Sequence, residues 1–282
     1  MKILVTGATG FIGNHLIPEL IKSGNEIVAT GSEDIRDLDR TWLPEVHYIR
    51  HNINDGFENG FDFFLKPDKL IHLCWPGLPN YKGLFHFEVN LFSSYAFIKN
   101  LVDHGLKDVS VIGTCFEYGM KNGPLTEDLV PEPANSYGLA KDSLRRFLEE
   151  LNHHIPFSLK WIRLFYIFGK GQNKNSILEQ LKVSIERGDT VFNMSGGEQI
   201  RDYLPVEKAA EYISKISLSG NASGIYNCCS GQPISIRNLV ENFLRETKKE
   251  IKLNLGYYPY PDYEPMAFWG DVKKLKKLIG EQ

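Results

Sequence analysis

The chain alternates between short apolar runs and longer amphipathic stretches. Short runs that predict β-strands cover residues 2–6, 26–30, 46–50, 69–73, 109–112 and 157–163. Apolar side chains recur at helical spacing in residues 14–22, 86–101, 176–187 and 236–247. Strands that alternate with helices in this way are typical of a parallel sheet covered by helices on both faces.

Three glycines, Gly7, Gly10 and Gly13, lie three residues apart between the first strand and the first helix. A dinucleotide pyrophosphate lies against bare backbone at a helix N-terminus, where free amides and the helix dipole favour an anion. The alternative is that the glycines serve only a tight turn. The strand before them and the helix after them meet the condition under which such a motif indicates a dinucleotide site.

Residues 6–13, TGATGFIG, closely resemble the first turn of the extended short-chain dehydrogenase/reductase superfamily. The resemblance implies an α/β fold, a Rossmann-type doubly wound parallel sheet with a smaller C-terminal α/β substrate lobe. It implies that residues 1–164, joined by parts of 204–235, form the dinucleotide-binding domain. Residues 165–282 would form most of the substrate lobe.

Composition narrows the class of protein without changing that expectation. The 282 residues are 42% hydrophobic and 24% charged, with a net charge of −3 and no long basic run, which argues against a nucleic-acid partner. No apolar run approaches the ~18 residues of a membrane span, and no secretory signal pattern precedes the first strand. The four cysteines have neither a disulfide framework nor CxxC spacing. We therefore expect a reduced, cytoplasmic protein without a membrane partner or a metal site.

The tip of the second strand bears on which dinucleotide binds. A carboxylate there would accept hydrogen bonds from the adenosine ribose and repel a 2′-phosphate, which favours NAD. In this chain the tip position is Gly31, and Ser32 and Arg36 are candidate phosphate contacts. The sequence thus favours NADP(H), while NAD(H) stays possible because Glu33 and Asp34 follow the tip.

The resemblance implies further cofactor contacts after the third and fourth strands. Asn52 takes the place of a more usual aspartate, and Trp75 lies in a turn that is normally rich in alanine, either as a filler or as a wall of the substrate site. The full expected cofactor-binding set is Gly7, Thr9, Gly10, Phe11, Ile12, Gly13, Ser32, Arg36, Asn52, Ile53, Leu73, Cys74, Trp75, Asn90, Tyr137 and Lys141.

Tyr137 and Lys141 are four residues apart, which stacks their side chains on one face of a helix. A nearby ammonium favours the phenolate, so we expect Lys141 to lower the pKa of Tyr137 from its usual value near 10. Such a pair alone is weak evidence, since a surface helix can carry one by chance. With Thr114 at the end of the fifth strand, the three residues resemble the catalytic triad of the superfamily.

The residues after Thr114 limit the reaction. Nucleotide-sugar 4,6-dehydratases of this superfamily carry an Asp-Glu pair there, whereas this chain has Cys115 and Phe116, and Glu117 would point to the other side if the segment stayed extended. Cys115 is also one residue early for the cysteine of superfamily members that carry out 3,5-epimerisation. Dehydration and 3,5-epimerisation are therefore not supported, and we expect Cys115 and Phe116 only to line the substrate site.

Two more substrate contacts are implied by the C-terminal motifs. Tyr166 stands where the superfamily usually has an asparagine, and Arg201, within GGEQIRDYLPV, matches the arginine that binds the substrate diphosphate in relatives. The alternative for Arg201 is an internal salt bridge. The tyrosine-rich stretch 257–265 either covers the nucleotide or caps the lobe.

These motifs lead to three hypotheses about function. The first is NADPH-dependent reduction of the 4-keto group of a nucleotide-activated 4-keto-6-deoxyhexose in deoxysugar biosynthesis. The second is a nucleotide-sugar 4-epimerase with tightly held NAD, and the third is a non-catalytic dinucleotide sensor. The resemblance also implies a homodimer formed through the helices near 88–103 and 137–152.

Overall fold

The computed structural model describes residues 1–220 and 222–281. Its strands, in chain order, are β1 Lys2–Thr6, β2 Glu26–Gly31, β3 His47–Arg50, β4 Lys69–His72, β5 Asp108–Thr114, β6 Gly123–Leu125, β7 Ser158–Leu164, β8 Tyr166–Phe168, β9 Val191–Asn193, β10 Ile200–Pro205, β11 Gly224–Cys228, β12 Pro233–Ser235, β13 Lys252–Asn254 and β14 Phe268–Gly270. Its α-helices are α1 Gly13–Lys22, α2 Gly60–Phe63, α3 Leu91–Asp103, α4 Ser136–His154, α5 Ile177–Glu186, α6 Val206–Leu218, α7 Ile236–Thr247 and α8 Lys273–Ile279.

Seven strands form one parallel sheet in the order β11-β7-β5-β4-β1-β2-β3. The strand order reverses between β1 and β4, and ligands of such sheets bind outside the carboxyl ends of the strands at that point. The expected Rossmann-type doubly wound sheet is confirmed.

Two apolar clusters, one on each face, hold the helices against this sheet. One packs α3 and α4 through residues such as Leu101 and Leu144, and the other packs α1 and α6 through residues such as Leu16 and Ile213. The central strands read as nearly continuous apolar runs because both of their faces are covered.

The C-terminal part adds small sheets and two further helices. β8, β10 and β12 form a three-stranded sheet, β13 pairs with β9, and β14 pairs with β6. A separate apolar cluster packs α5 against α7. β11 lies in the large sheet beside β7, while the division of the chain near residue 164 stays a prediction.

Two local features differ from the expected elements, and both border the site. The helix expected at 86–101 begins with a π-helical turn, His86–Asn90, before α3. Residues Cys115–Tyr118 form a 3₁₀ turn after β5 instead of an extended segment. No helix in the described part of the chain has the length and hydropathy needed to cross a bilayer.

Candidate active site

The glycine turn connects β1 to α1 through positions where a side chain would collide with backbone. Gly7 has φ +65°, and a Cβ built on it would lie 2.9 Å from the amide nitrogen of Cys74. A Cβ on Gly13 would lie 2.4 Å from the carbonyl oxygen of Ala8, whereas Gly10 meets only the Gly7 oxygen, at 3.2 Å. Gly7 therefore approaches the segment after β4, and Gly13 approaches the backbone of the turn itself, so closely that only glycine fits at both positions.

A cavity of about 280 Å³ opens beside this turn, at the carboxyl ends of the sheet strands. It is lined by Thr6, Gly7, Thr30, Gly31, Ser32, His51, Asn52, Ile53, Asn54, Cys74, Pro76 and Phe97. Five of the expected cofactor residues lie on its wall: Gly7, Ser32, Asn52, Ile53 and Cys74. A bare-backbone turn before a helix, next to a cavity at the strand-order reversal, fits a dinucleotide.

The other expected cofactor residues lie on the elements around the cavity. Phe11 and Ile12 lie in the turn before α1, and the Leu73 amide donates to the carbonyl of Thr6 at 3.3 Å. Asn90, on the π-helical turn, donates through Nδ2 to the carbonyl oxygen of Pro76 at 2.9 Å. Asn90 therefore braces the turn after β4.

The tip of β2 is arranged differently from the sequence expectation. The hydroxyl of Thr9 donates to the Glu33 carboxylate at 2.5 Å, and Oε2 of that carboxylate would lie 3.1 Å from a Cβ built on Gly31. Arg36 donates to the Asp34 carboxylate at 2.9 and 2.8 Å, and its side chain is 85% exposed. The structure thus puts a carboxylate at the tip and holds Arg36 in a surface ion pair with Asp34, and the expected phosphate contact of Arg36 stays a prediction.

The three candidate catalytic residues come from β5 and α4. Thr114 ends β5 and caps the 3₁₀ turn, accepting from the amide of Phe116 at 3.3 Å. α4 begins beneath that turn, and a Cβ on Gly138 would lie 2.6 Å from the Phe116 carbonyl oxygen. This close approach lets the first turns of α4 bring Tyr137 and Lys141 under the end of β5. All three side chains are buried.

Burial reverses the expected pKa of the tyrosine. Desolvation raises the pKa of Tyr137 well above 10, with Tyr81 adding to the effect and the Thr114 hydroxyl opposing it. Desolvation also lowers the pKa of Lys141 to about 7. The pKa of Tyr137 is therefore raised and not lowered as expected, because burial and the neighbouring Tyr81 both disfavour the phenolate. A phenol that stays protonated at neutral pH can donate its proton to an alkoxide.

Lys141 is held between a carbonyl and an aromatic ring. Its Nζ donates to the carbonyl oxygen of Ile112 at 2.8 Å and lies 3.8 Å from the ring centroid of Trp75. The Trp75 indole donates to Nδ1 of His86 at 3.0 Å. Trp75 is therefore part of the wall around the catalytic lysine.

Cys115 and Phe116 face different surroundings. Cys115 packs into an apolar cluster with Tyr118, Leu125, Phe165, Cys229 and Phe268. Burial raises the pKa of its thiol. The Phe116 ring lies 6.2 Å from the Tyr137 ring and 4.7 Å from the Tyr81 ring. Phe116 therefore borders the catalytic tyrosine, whereas Cys115 belongs to the packing behind the turn.

Glu117 has a structural role that the extended-strand reading did not predict. In the 3₁₀ turn its carboxylate is fully buried, and it accepts from the amide of Thr114 at 2.8 Å and from Nε of Arg163 at 2.7 Å. The indole of Trp161 donates to the same carboxylate. Glu117 fixes the end of β5 from behind the site.

Arg201 does not reach the site as a free cation. Its side chain is fully buried and pairs with Glu264, whose Oε2 accepts from Nε at 3.2 Å and from Nη2 at 2.7 Å. Nη1 donates to the carbonyl oxygens of Ile200 and Met266. The guanidinium is thus satisfied by an internal ion pair, which was the alternative for Arg201, and the expected diphosphate contact stays a prediction. Tyr166 lies nearby, with its ring 5.4 Å from that of Tyr203.

Tyr81 packs against the catalytic tyrosine, and Tyr263 packs in turn against Tyr81. The Tyr81 ring lies 5.8 Å from the Tyr137 ring and 5.9 Å from the Tyr263 ring. The amide of Tyr137 also donates to the carbonyl of Tyr81 at 3.0 Å. Tyr81 lies in the loop GLPNYKG and had no signal beyond an aromatic residue among turn formers, and Tyr263 belongs to the tyrosine-rich stretch.

Comparison with known proteins gives this geometry a context. A family model, the NAD dependent epimerase/dehydratase family, matches residues 3–229. A dTDP-6-deoxy-L-talose 4-dehydrogenase (NAD(+)) of Aggregatibacter actinomycetemcomitans is 30% identical over 96% of this chain and 99% of that protein. A GDP-6-deoxy-D-talose 4-dehydrogenase of the same organism is 24% identical over 99% of this chain and 92% of that protein.

Solved structures resemble the whole chain. MoeE5 in complex with UDP-glucuronic acid and NAD has a TM-score of 0.85 at 24% identity, covering 100% of this chain and 93% of that one. A UDP-glucuronic acid 4-epimerase from Bacillus cereus, in complex with UDP-glucuronic acid and NAD, has a TM-score of 0.86 at 23% identity, covering 100% and 94%. At these identities the likeness establishes the fold.

Proposed function

This chain belongs to the NAD dependent epimerase/dehydratase family, and on that premise we propose that it reduces the 4-keto group of a nucleotide-linked 4-keto-6-deoxyhexose and catalyses the reverse oxidation. The observation that carries the proposal is the buried group of Thr114, Tyr137 and Lys141 beside the glycine turn. The 30% identical relative, whose name is that of a 4-dehydrogenase acting on a dTDP-6-deoxyhexose, supports the substrate class.

The side chains divide the reaction at C4 between them. Tyr137 donates its proton to the oxygen that becomes an alkoxide, and the Thr114 hydroxyl donates a hydrogen bond to the same oxygen. Lys141 places a positive charge near that oxygen and can contact the nicotinamide ribose. The bound dinucleotide supplies the hydride in reduction and accepts it in oxidation. Because Cys115 and Phe116 replace the acidic pair, the site lacks the groups that would eliminate water.

The cofactor in this proposal is NAD(H), and the expected preference for NADP(H) is not supported. The Glu33 carboxylate stands beside Gly31, where it would accept from the adenosine ribose and repel a 2′-phosphate. Arg36, the cation that would have attracted that phosphate, is held by Asp34. The similar 4-dehydrogenase carries NAD(+) in its name.

The test is a reduction assay on the purified protein. We expect NADH absorbance at 340 nm to fall when a dTDP- or GDP-linked 4-keto-6-deoxyhexose is added, and to fall far more slowly with NADPH. Tyr137→Phe, a change of one hydroxyl group, is the matched control and should abolish the signal. No consumption of either cofactor with any such substrate would remove the proposal.

Glu33 also favours a second candidate, a nucleotide-sugar 4-epimerase. An epimerase must retain NAD through its catalytic cycle, and a ribose-binding carboxylate helps to hold it. The two candidates use the same catalytic residues. Two observations distinguish them. An epimerase should be purified with NAD already bound, and it should convert a 4-hydroxy sugar nucleotide into its C4 epimer without net change in absorbance at 340 nm.

We further propose that the protein is a homodimer whose interface is formed by α3 and α4. Phe92 of α3 is 56% exposed, and Leu139 and Phe147 of α4 are 48% and 39% exposed. Pairing these faces would remove apolar surface from water. Light scattering on the purified protein should give the mass of two chains, and Phe92→Glu should give one chain; a wild-type monomer would contradict this.

A further inference from the structure

Trp75 occupies a position that neither the glycine turn nor the catalytic group explains. It lies in the turn after β4, and its side chain is more than nine-tenths buried. One face of its indole receives the ammonium of Lys141, with Nζ 3.8 Å from the ring centroid. The Trp75 ring also meets the Tyr137 ring edge-on at 6.1 Å. It therefore touches both members of the tyrosine–lysine pair.

The indole ring is itself held by a chain of hydrogen bonds. Its Nε1–H donates to Nδ1 of His86 at 3.0 Å, and Nε2 of His86 lies 2.6 Å from the carbonyl oxygen of Asn80. Because Nδ1 accepts from the indole, the imidazole carries its proton on Nε2 and donates it to that carbonyl. Burial lowers the pKa of His86, which keeps the imidazole neutral. The ring plane of Trp75 is thus fixed by the loop and the π-helical turn.

We propose that Trp75 is a positioning residue, whose indole face holds the Lys141 ammonium beside Tyr137 through a cation–π contact while His86 fixes the plane of the ring. A desolvated ammonium over a tryptophan face is a favourable arrangement, stronger than the same contact with phenylalanine. The Ile112 carbonyl accepts one hydrogen bond from Lys141. One hydrogen bond does not replace the water that a free ammonium would bind, and the indole face stabilises the remaining positive charge. The inference rests on the proposed function only in treating Lys141 as catalytic.

Other groups act on the same ammonium and would change with it. Glu117, behind the end of β5, and Cys74, after β4, raise the pKa of Lys141, although burial has the larger, opposite effect. Burial, and after it the positive charge of Lys141, lowers the pKa of His72 on β4 and of His86. Substitutions of the Trp75 ring leave Glu117, Cys74 and His72 in place, and both Trp75→Leu and Trp75→Phe remove the hydrogen bond to His86 equally, so the comparison between them isolates the aromatic face.

The experiment measures the pKa of Lys141 directly, without substrate. Protein labelled with ¹³C at the lysine ε-carbons is titrated by NMR, and the Lys141 signal is the one that Lys141→Arg removes. Trp75→Leu, which removes the aromatic face, should lower the pKa of Lys141 by about one unit. Trp75→Phe keeps a weaker face and should lower it by about half as much.

The matched control is a second buried tryptophan remote from Lys141. Trp42 is 3% exposed and donates to Oδ1 of Asn14 at 3.3 Å, so Trp42→Leu should loosen the fold without moving the pKa of Lys141. An equal shift in Trp42→Leu, or an unchanged pKa in a cooperatively melting Trp75 variant, would overturn the proposal. If Trp75→Leu does not fold, Trp75→Phe decides.

Turnover gives a second readout that keeps the two proposals apart. If Lys141 must carry its charge, reduction slows as pH rises through the pKa of Lys141, and Trp75→Leu should bring that loss about one pH unit lower. A Trp75-dependent pKa in a protein without turnover would retain the positioning role and reject the proposed reaction. Turnover together with a Lys141 pKa that Trp75→Leu leaves unchanged would retain the proposed reaction and reject the positioning role.

Discussion

The cofactor side of the site is open and made largely of backbone, whereas the substrate side is closed by aromatic rings and a buried ion pair. On the cofactor side, the glycine turn faces a cavity of about 280 Å³. On the substrate side, Tyr81 packs against Tyr137, which is only 7% exposed, Tyr263 packs against Tyr81, and Arg201 is bound to Glu264. We therefore expect the dinucleotide to enter a formed site, while a sugar must displace rings to reach the catalytic hydroxyl.

The largest effect on turnover should come from Tyr137, which lies between the cofactor side and the substrate side. Tyr137→Phe removes the proton that the forming alkoxide needs, and we expect turnover to fall by about 10³-fold. NADH affinity, measured by fluorescence titration, should change by less than about threefold, because the glycine turn is untouched. Equal losses of affinity and turnover would mean that Tyr137 mainly binds cofactor.

The ion pair between Arg201 and Glu264 tests whether Arg201 stabilises the fold or binds the substrate diphosphate. Arg201→Met leaves the Glu264 carboxylate without its cation, and we expect the free energy of unfolding to fall by about 3 kcal/mol. Arg237→Met breaks an exposed helical pair with Glu241 and should cost about 0.5 kcal/mol or less. An Arg201→Met protein of unchanged stability in denaturant unfolding, but with a raised KM, would restore the diphosphate role.

The glycine turn offers a steric test of the cofactor side. Gly13→Ala puts a Cβ 2.4 Å from the Ala8 carbonyl, and the rearrangement should cost about 2 kcal/mol of stability and weaken dinucleotide binding about tenfold or more. Gly56→Ala is the control, since nothing lies within 4 Å of its added Cβ. Calorimetry with and without NADH measures both effects. If Gly13→Ala bound the dinucleotide normally, the glycine turn would not be the site that holds the pyrophosphate.

The smallest effect concerns the choice between the two dinucleotides. Glu33→Gln keeps the side-chain shape and removes its charge, so the ratio of NADH to NADPH affinity should fall about tenfold, equivalent to ~1.4 kcal/mol. Arg36→Ala should leave that ratio unchanged, because Asp34 already holds the guanidinium. The opposite pattern, loss of NADPH binding in Arg36→Ala alone, would return Arg36 to the phosphate site.

The same contrast explains what the sequence could predict. The turn from Gly7 to Gly13 and the tyrosine–lysine spacing are local, because strand, turn and helix periodicities fix them within a few residues. The partner of Arg201 is 63 residues away in sequence, so the motif around Arg201 could not reveal that it is satisfied internally.

Other misses have physical reasons of the same kind. An extended segment after Thr114 would turn Glu117 to the other side, but Thr114 and Glu117 cap each other's backbone and fold the segment into a 3₁₀ turn. Gly31 at the strand tip predicts no carboxylate there, whereas a hydrogen bond from Thr9 draws the carboxylate of Glu33 back to the tip. The pKa of Tyr137 is raised by burial and then by Tyr81, neither of which the spacing along α4 reports.

The most direct test of the account follows one hydride. NADH carrying deuterium at the transferred C4 position is mixed with the protein and a nucleotide-linked 4-keto-6-deoxyhexose, and the sugar product is examined by NMR and mass spectrometry. Reduction by exchangeable NADH should leave one deuterium, bound to C4 of the sugar, and none in the Tyr137→Phe reaction. A sugar converted without deuterium would contradict reduction by exchangeable NADH and favour an epimerase that keeps its own NAD.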